Sequence, residues 1–403
     1  MFAIQLLRWL LWMIEAVLAL PILYLCLVSV SALLRVRRRK KDALAFPQPS
    51  ARFALLIPAH NEAGILGGLL ESLVALHYPQ EKYDVYIVAD NCDDTTAELA
   101  RVHGLAQVYE RFDQTMRGKG FALRWLLDRL ASEQRIYDAY VILDADSVVD
   151  PAFLQAMNAG LAQGAQALQA HNTVLNTLDS SSTVLRWLAL TLMNHVRPLG
   201  RNGLGGSSTL TGNGMCLTDA LLKLYPWRAF ALSEDYQYYL TLAQNGEGVV
   251  YMPEAIVRSE MPRTFAQMRT QDIRWEGGQD GNSTWGMVWK LLVAGVRKRS
   301  FICLEAIAEL LVPSLSSLVG CCLLVLLVSL LLWSLPGLLI SLLLIAGMMC
   351  YIGSAIWFLR APRAVLQALL SAPGFILWKL WVLLVVKRRK NHVSAWVRTS
   401  RNG

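Results

Sequence analysis

A long apolar run opens the chain. Residues 2–36 carry three charged side chains, Arg8, Glu15 and Arg35, and the part after Glu15 can cross a hydrocarbon core about 30 Å thick. A cleaved signal peptide would have a basic start and a shorter apolar core, whereas here the basic residues follow the run. The pattern predicts a retained membrane helix over 1–36, with its N-terminus outside and its basic end in the cytoplasm.

A second apolar region, near the C-terminus, contains no charged residue from 310 to 359. As one helix these residues would measure about 75 Å, more than twice the thickness of a bilayer core, so the chain must reverse. Ser334-Leu335-Pro336-Gly337 is a turn sequence, and we expect membrane helices at 310–333 and 336–359. The apolar stretch 364–386 ends in a basic cluster, which favours an interfacial or re-entrant helix over a third crossing in this region.

Between these regions, short apolar runs alternate with helix-like segments. Runs of strand length recur at 53–58, 85–89, 139–143 and 165–170. Short buried strands that alternate with helices are typical of an α/β domain with a mainly parallel sheet. We therefore expect a cytoplasmic α/β domain over 52–260, with ligands bound beyond the carboxyl ends of its strands.

Composition and charge favour a membrane surface as a partner and argue against nucleic acid. The 403 residues are 55% apolar and 17% charged, and Lys and Arg exceed Asp and Glu by eight. Ten basic residues fall in two clusters beside apolar runs, at 35–41 and 387–390, where they would meet anionic lipid. We predict a basic juxtamembrane linker at 37–51, a basic cytoplasmic tail at 387–403, and a multi-pass protein of a bacterial-type inner membrane.

Polar residues follow the first two predicted strands. The first strand runs into Pro58-Ala59-His60-Asn61-Glu62, and the second runs into Asp90 and the polar residues after it. Each segment taken alone fits a strand end, a turn and a helix cap as well as it fits a binding loop.

Two acidic residues end the third predicted strand. If the extended geometry persists, Asp144 and Asp146 point to the same side and can approach a hard divalent cation. A cation at this place would neutralise a diphosphate leaving group. The alternative interpretation is that Asp146 or Ser147 makes a turn.

Two further motifs carry charged groups at helix positions. Ser233-Glu234-Asp235 opens a helical stretch, either as a serine cap with two acids favoured by the helix dipole or as the site of a general base. On a helix, Gln271, Arg274 and Trp275 would share one face. A Trp and Arg anchor at the membrane interface would look similar, and we expect interfacial helices over 261–309.

In this order the motifs resemble the membrane-embedded family 2 glycosyltransferases, which include cellulose, hyaluronan, chitin-oligosaccharide and poly-N-acetylglucosamine synthases. The likeness lies in a single Asp, D-x-D, E-D and Q-x-x-R-W, and it extends over about 53–278. The resemblance implies a GT-A fold, which is an α/β nucleotide-diphospho-sugar transferase domain with a mixed, mainly parallel sheet. It also implies a nucleotide-sugar donor, usually UDP-linked, and Mg2+ or Mn2+ as the cofactor.

The resemblance also implies roles for individual residues. Those that would bind the nucleotide sugar are Pro58, Ala59, Asn61, Glu62, Asp90 at the base, Lys119 at the phosphates and Asp144 at the nucleotide's sugar. Asp146, with Asp144 beside it, would hold the metal. Those that would serve the transfer are Asp235 as catalytic base, Glu234 as its neighbour, Gln271 and Arg274 at the diphosphate, and Trp275 under the acceptor sugar. By itself, Gly118-Lys119-Gly120 is only a flexible basic loop.

Three functions remain open from the sequence. The first is an inverting transferase that builds a β-linked poly- or oligosaccharide at the cytoplasmic face. The second is a glycolipid synthase that transfers one sugar to a membrane lipid, and the third is an inactive sugar-nucleotide-binding subunit of a membrane assembly. Three predicted spans are few for a polymer channel, whose wall must shield sugar hydroxyls from lipid, so polymer export would need a homo-oligomer or a secretion partner.

Overall fold

The computed structural model describes residues 2–39, 46–263 and 284–371, together with 373, 374, 377, 378 and 381. One mixed sheet lies at the centre of the described α/β domain, with eight strands in the spatial order β3-β2-β1-β4-β7-β6-β8-β5. The strands are β1 (Phe53–Ala59), β2 (Tyr83–Asp90), β3 (Ala106–Arg111), β4 (Ala139–Ile142), β5 (Ser147–Val149), β6 (Ala167–Val174), β7 (Met215–Thr218) and β8 (Val249–Ser259).

Most strand pairs of this sheet are parallel. β1 pairs in parallel with β2 and β4, β2 with β3, and β6 with β8. β7 runs antiparallel to both β4 and β6, and the short β5 runs antiparallel to β8. The predicted mixed, mainly parallel α/β sheet is therefore confirmed.

Helices cover the sheet and form both ends of the described chain. The first nine are α1 (Phe2–Arg39), α2 (Leu66–Val74), α3 (Thr96–His103), α4 (Lys119–Ser132), α5 (Phe153–Ala162), α6 (Ser181–Thr191), α7 (Arg197–Gly203), α8 (Asp219–Leu224) and α9 (Glu234–Asn245). The others are α10 (Thr284–Lys298), α11 (Phe301–Leu310), α12 (Leu315–Leu331), α13 (Leu335–Phe358) and α14 (Arg363–Leu369).

Alternate side chains of β1 enter two different apolar cores, because successive residues of a strand point to opposite faces. Phe53, Leu55 and Ile57 share one core with apolar residues of α2, α3 and α5. Ala54 and Leu56 share the other core with residues of α4 and α9. The continuous apolar run in the sequence is thus a central strand covered on both faces.

The C-terminal apolar region differs in detail from the prediction of a helix over 310–333. α11 ends at Leu310, and α12 begins at Leu315 after Pro313, which lacks the N–H that a continuing helix needs. α11 and α12 meet at an angle of 62°. Only when the two helices are taken together as one bent span are they long and apolar enough to cross a membrane. α13 covers most of the predicted 336–359, and Ser334 caps it by accepting a hydrogen bond from the Gly337 N–H (3.3 Å).

α1 and α13 are each long and apolar enough to cross a membrane. α1 packs closely against α12 and α13, and residues such as Leu25, Val325 and Met348 lie in their shared apolar core. Of the predicted interfacial stretch 364–386, the structure describes α14 and a few residues beyond it, and the basic cluster 387–390 lies outside the described residues.

The α/β domain is joined to α1 through α7. A Cβ at Gly200 would lie 2.0 Å from the carbonyl oxygen of Val28, so the two backbones touch where glycine leaves room. The Ser31 hydroxyl donates to the Gly200 carbonyl (2.8 Å), and Gly203 packs on the same serine. This contact places the α/β domain beside the C-terminal half of the N-terminal helix that is predicted to span the membrane.

Candidate active site

The carboxyl ends of β1, β2 and β4 meet at one edge of the sheet because the three strands are parallel. Residues that follow them in the sequence are therefore neighbours. The two polar loops are also linked directly, since Nδ1 of His60 lies 2.7 Å from the Asp90 carbonyl oxygen, and the Asp93 N–H donates to Oδ1 of Asn61 (3.0 Å). Asn61 has φ +57°, a conformation that asparagine tolerates better than most residues.

The other residues of the first loop are held in the same way. Pro58 and Ala59 are the last two residues of β1, where Ala59 is buried and Pro58 half-buried. The Glu62 N–H donates to the Thr96 hydroxyl (2.8 Å) at the start of α3. The predicted nucleotide loops at 58–62 and 90–96 thus form one continuous surface.

Lys119 lies at the centre of the candidate site. It is the first residue of α4, so the predicted flexible loop is instead the start of a helix. Its Nζ donates to Oδ1 of Asp144 (2.5 Å) and to the Gly212 carbonyl oxygen, and it lies 3.6 Å from Oε1 of Glu234. A Cβ at Gly212 would lie 3.0 Å from Oδ2 of Asp235 and 3.5 Å from Nζ of Lys119, so Asp235 belongs to the same cluster.

Glycines allow this approach of Lys119. Gly118 has φ +117°, which side-chain-bearing residues rarely adopt. A Cβ at Gly120 would lie 2.2 Å from the Ala229 carbonyl oxygen, so α4 can begin here only with glycine at this position. The two glycines place the lysine at the edge of the sheet.

The charges of the cluster perturb one another. Burial raises the pKa of Glu234 to about 7 and also raises the pKa of Asp235, while the Lys119 ammonium acts in the opposite direction on both. Burial opposes the charged form of Lys119, but the carboxylates of Asp144, Glu234 and Asp235 outweigh it and raise the pKa of the lysine. Glu234 is buried and Asp235 is partly exposed, so Asp235 is the one of the two that can meet a bound molecule.

Asp144 and Asp146 are separated by a turn, not by continued strand. The Ser147 N–H donates to the Asp144 carbonyl oxygen (3.2 Å), as the alternative interpretation of the sequence expected. Both aspartates are partly exposed on either side of the buried Ala145. Within residues 2–39, 46–263 and 284–371, no group of three or more His, Cys, Asp or Glu side chains could hold a metal ion. Two carboxylates nevertheless fit a Mg2+ site that substrate phosphate and water complete.

Asp90 is held by an arginine that no sequence motif indicates. Its Oδ1 accepts from Nη1 of Arg111 (2.5 Å) and from Nδ2 of Asn91 (3.1 Å), and both members of the ion pair are buried. Arg111 ends β3 and also donates to the Met116 carbonyl oxygen (2.7 Å). The carboxylate at the end of β2 is therefore fixed in place.

A match to a known protein family shows which family this chain belongs to. Residues 49–278, more than half of the chain, match the family described as glycosyltransferase like family 2. The chain belongs to this family. The predicted membership of glycosyltransferase family 2 is therefore confirmed, and the protein is an enzyme.

Individual relatives agree with this assignment. The chain is 26% identical to the β-monoglucosyldiacylglycerol synthase of Nostoc sp. over 232 residues, which cover 56% of this chain and 48% of the relative. It is 23% identical to glucomannan 4-β-mannosyltransferase 1 of Oryza sativa subsp. japonica, over 55% of this chain and 44% of the relative. The chain spans about half the length of the curated relatives it matches.

A solved structure shares the fold. The mannosyltransferase PcManGT of Pyrobaculum calidifontis, in complex with GDP-Man and Mn2+, matches with a TM-score of 0.51 and 16% identity. The match covers 89% of this chain and 98% of the mannosyltransferase. At this level of identity the likeness shows the GT-A-like fold alone.

Sequence reasoning missed the loop before β7, which builds one wall of the glycosyltransferase site. Asn213 accepts from the Asp144 N–H through Oδ1 (3.2 Å) and donates through Nδ2 to the Ser147 hydroxyl (2.8 Å). Gln169 accepts from the Thr211 N–H (3.0 Å) and donates to the Asn213 carbonyl (2.8 Å). Within the part of the chain that the structure describes, the buried Thr211 hydroxyl has no hydrogen-bond partner. The Gly-rich sequence Thr211-Gly212-Asn213-Gly214 was the available signal.

The structure tests the predicted helix start at 233–235, and the predicted Q-x-x-R-W motif lies outside the described residues. α9 begins at Glu234 as expected, but Ser233 makes no side-chain capping hydrogen bond among the described residues, so the serine-cap interpretation is wrong. Instead, Oδ1 of Asp235 accepts from the Tyr236 N–H (2.7 Å). The predicted Gln271, Arg274 and Trp275 lie outside the described residues, and their roles stay predictions.

Proposed function

We propose that this enzyme is an inverting glycosyltransferase that takes its sugar from a nucleotide sugar, UDP-linked, at the cytoplasmic face of a membrane. The proposal depends on one observation, the meeting of Asp144, Glu234 and Asp235 around Lys119 at the carboxyl edge of the sheet. This edge is where α/β sheets bind ligands, and carboxylates with raised pKa values beside a cation are typical of catalytic sites.

Asp235 is the proposed catalytic base. It would take the proton of the acceptor hydroxyl while that oxygen bonds to the anomeric carbon of the donor sugar, and the bond from that carbon to the diphosphate breaks. Its partial exposure and raised pKa suit a group that must meet an acceptor and accept a proton. The displacement is direct, so the configuration at the anomeric carbon inverts and no covalent enzyme intermediate forms.

Lys119 and the two aspartates of the turn serve the leaving group in this proposal. Nζ of Lys119 lies between Asp144 and the Gly212 carbonyl, where it would donate to a diphosphate oxygen as negative charge develops. Asp146 and Asp144 would hold Mg2+ or Mn2+, and such an ion neutralises a diphosphate when it is bound. The predicted roles of Gln271 and Arg274 at the diphosphate belong to the same proposal.

The linked loops at 58–62 and 90–96 would receive the nucleotide. Asp90, fixed by Arg111, would accept from the base, and the backbone of Pro58 to Glu62 would line the other side. A carboxylate that is already held by an arginine loses little conformational entropy when the base binds, which favours recognition.

We propose that the acceptor is a membrane lipid. α1, α12 and α13 pack on one another around a shared apolar core. Side chains therefore fill the space between these helices in the described structure. The transfer of one sugar to a lipid headgroup needs no passage through that core. The glucolipid synthases among the relatives support this choice of acceptor.

An amphipathic helix beside the site supports the same acceptor. α10 buries Leu291 against the side of the domain that carries α9 and exposes Trp285, Trp289 and Val296 on its opposite face. The two exposed tryptophans and Lys290 suit a helix that lies in the headgroup layer. The helix would hold α9, which carries Asp235, next to the inner leaflet.

The polymer synthase predicted first from the sequence remains the second candidate. Plant glucomannan 4-β-mannosyltransferases are among the relatives, and they favour it. A polymer product would need a homo-oligomer or a secretion partner to complete a channel wall. An inactive subunit is disfavoured because a base, a cation and metal-ligand candidates are all present.

The test is a donor screen with the full-length enzyme in bilayer nanodiscs. Four donors, UDP-glucose, UDP-N-acetylglucosamine, UDP-galactose and UDP-glucuronate, would each be incubated with divalent cation while UDP release and product mass are recorded. One organic-extractable product supports the lipid acceptor, whereas a ladder or a high polymer supports the second candidate.

Asp235→Asn tests the role of the base. We expect kcat to fall by about 10²–10⁴-fold, because general-base assistance is lost, while UDP binding stays near normal. Asp128→Asn, an exposed acid on α4, is the matched control and should keep wild-type turnover. Turnover retained by Asp235→Asn would reject this mechanism.

A further inference from the structure

A second cluster of charged side chains lies where the membrane helices meet the α/β domain. α7 contributes Arg197 and Arg201, and α11 contributes Glu305 and Glu309. The side chains of Arg201 and Glu305 are only 1% and 3% exposed. Two cations and two anions balance, so the cluster can stay charged away from water.

Arg201 and Glu305 form a fork. Nε of Arg201 donates to Oε1 of Glu305 (2.6 Å), and Nη2 donates to Oε2 (3.0 Å). Two parallel bonds fix the guanidinium plane, which a lysine ammonium could not do. The orientation of Arg201 is therefore set by Glu305.

The same guanidinium contacts α9, the helix that carries the proposed base Asp235. Nη2 of Arg201 also donates to the Tyr239 hydroxyl (2.8 Å), and the guanidinium carbon lies 5.7 Å from the centre of the tyrosine ring. Tyr239 is one helical turn after Asp235 on α9. A displacement of Tyr239 along α9 would therefore move the carboxylate of Asp235.

The loop on the opposite side of the site also contacts Glu305 of this pair. The Ser207 N–H donates to Oε2 of Glu305 (3.3 Å), and a Cβ at Gly206 would lie 2.7 Å from the Glu305 carboxyl carbon. These residues begin the loop that reaches Gly212, which touches both Lys119 and Asp235. Glu305 thus fixes the start of this loop, while Arg201 fixes α9.

We infer that Arg201, held by Glu305, is a positioning residue that acts through Tyr239 to hold Asp235 at the acceptor hydroxyl. The inference rests on the proposed function of Asp235 as the base. A buried ion pair adds little stability compared with apolar packing of the same volume. It does fix geometry, and transfer requires the base to lie within about 0.5 Å of its productive position.

The experiment compares two variants that each remove one hydroxyl from this cluster. Tyr239→Phe keeps the ring but loses the bond from Arg201, and we expect kcat to fall about tenfold with the donor KM unchanged, because only the base is misplaced. Tyr24→Phe is the matched control, because the Tyr24 hydroxyl of α1 donates to Oε1 of Glu305 (2.6 Å) without touching α9. We expect its kcat to stay within about twofold of wild type.

Arg201→Lys provides a second measurement, since it keeps the buried charge and loses the fork. We expect kcat to fall at least as far as in Tyr239→Phe. Each kcat is normalised to the folded fraction, which thermal unfolding of the same preparation gives. Wild-type kcat in Tyr239→Phe, or an equal loss in Tyr24→Phe, overturns the inference. Asp235→Asn in the same assay separates the two proposals: if it stays active, the base assignment fails and the inference fails with it, whereas an inactive Asp235→Asn beside an unaffected Tyr239→Phe overturns the inference alone.

Discussion

At the scale of single residues, the candidate active site holds more negative than positive charge. One ammonium, that of Lys119, is shared among the carboxylates of Asp144, Glu234 and Asp235 in the described structure. Burial then favours the protonated forms of Glu234 and Asp235. A diphosphate adds further negative charge, so the arrangement favours a donor that arrives with a divalent cation.

The pH dependence of turnover follows from these charges. A base must be ionised, so kcat should fall as the pH drops through the raised pKa of Asp235. Lys119 lowers the pKa values of both Glu234 and Asp235, so Lys119→Met should move the acid limb of the kcat profile to higher pH and slow transfer. The check is a pH–rate profile at saturating donor.

Lys223→Met is the control for this profile, because Lys223 is an exposed lysine paired with Asp219 on α8. It should reproduce the wild-type curve. An acid limb that stays in place in Lys119→Met, or that moves to lower pH, would contradict the assigned charge relations.

Sequence motifs indicated some residues of the candidate site but not the residues that hold them in place. Asp144 and Asp235 could be proposed from the sequence because D-x-D and E-D occur in a known order. Arg111 and Asn213 were not, since their bonds join residues 21 and 69 positions apart in the chain. No local pattern reports a hydrogen bond over that distance.

At the scale of elements, glycine contacts decide how the α/β domain meets the candidate membrane helices. The closest is at Gly200 of α7, where any side chain would collide with the backbone of α1. Small residues at helix contacts let two backbones approach and pack closely. Hydropathy reports that α1 is apolar but does not report which part of the domain it touches.

Gly200→Ala tests this contact. A Cβ 2.0 Å from the Val28 carbonyl oxygen must push α7 away from α1, at a cost of about 1–3 kcal/mol. We expect a lower midpoint of thermal unfolding in detergent. Gly353→Ala on α13 is the control, since beyond its own helical turn no described atom lies within 4 Å of the added methyl. An equal loss in both variants would argue against the contact.

The strands that the sequence missed share one property. The half-exposed β3, the three-residue β5 and the four-residue β7 lack a long apolar run, and β8 contains Pro253 and a register shift opposite β6. The central strands β1 and β2 were predictable because both of their faces are buried. Patterning thus predicts strands that form one continuous apolar run better than short, half-exposed or proline-interrupted strands, whether these lie in the middle of the sheet or at its edges.

At the scale of the whole molecule, aromatic and basic residues favour one orientation of the helix bundle across the membrane. Trp9, Trp12 and Trp333 gather at one end of the helix bundle, where Arg8 donates to the Leu332 carbonyl oxygen (2.8 Å). The α/β domain joins α1 towards its opposite end. Tryptophans are enriched at membrane interfaces and basic clusters lie inside, so the first end should be external.

Cysteine labelling in intact cells tests this orientation. Trp333→Cys, at the exposed turn between α12 and α13, should react with a membrane-impermeant thiol reagent added outside. Lys223→Cys, exposed on the α/β domain, should react only after permeabilisation. Labelling in the reverse order, above the background of the seven native cysteines, would contradict a cytoplasmic domain.

The reversed direction of β7 has a consequence for how this enzyme can change. Because Ile142 pairs with Met215 in antiparallel register, the beginning of β7, and not its end, reaches the edge that carries the candidate site. The wall formed by 211–214 therefore comes from a part of the chain remote from the first half of the sheet. Replacements at 206–214 would alter this wall and leave the loops at 58–62 and 90–96 unchanged, so the two sides of the candidate site can vary separately in evolution.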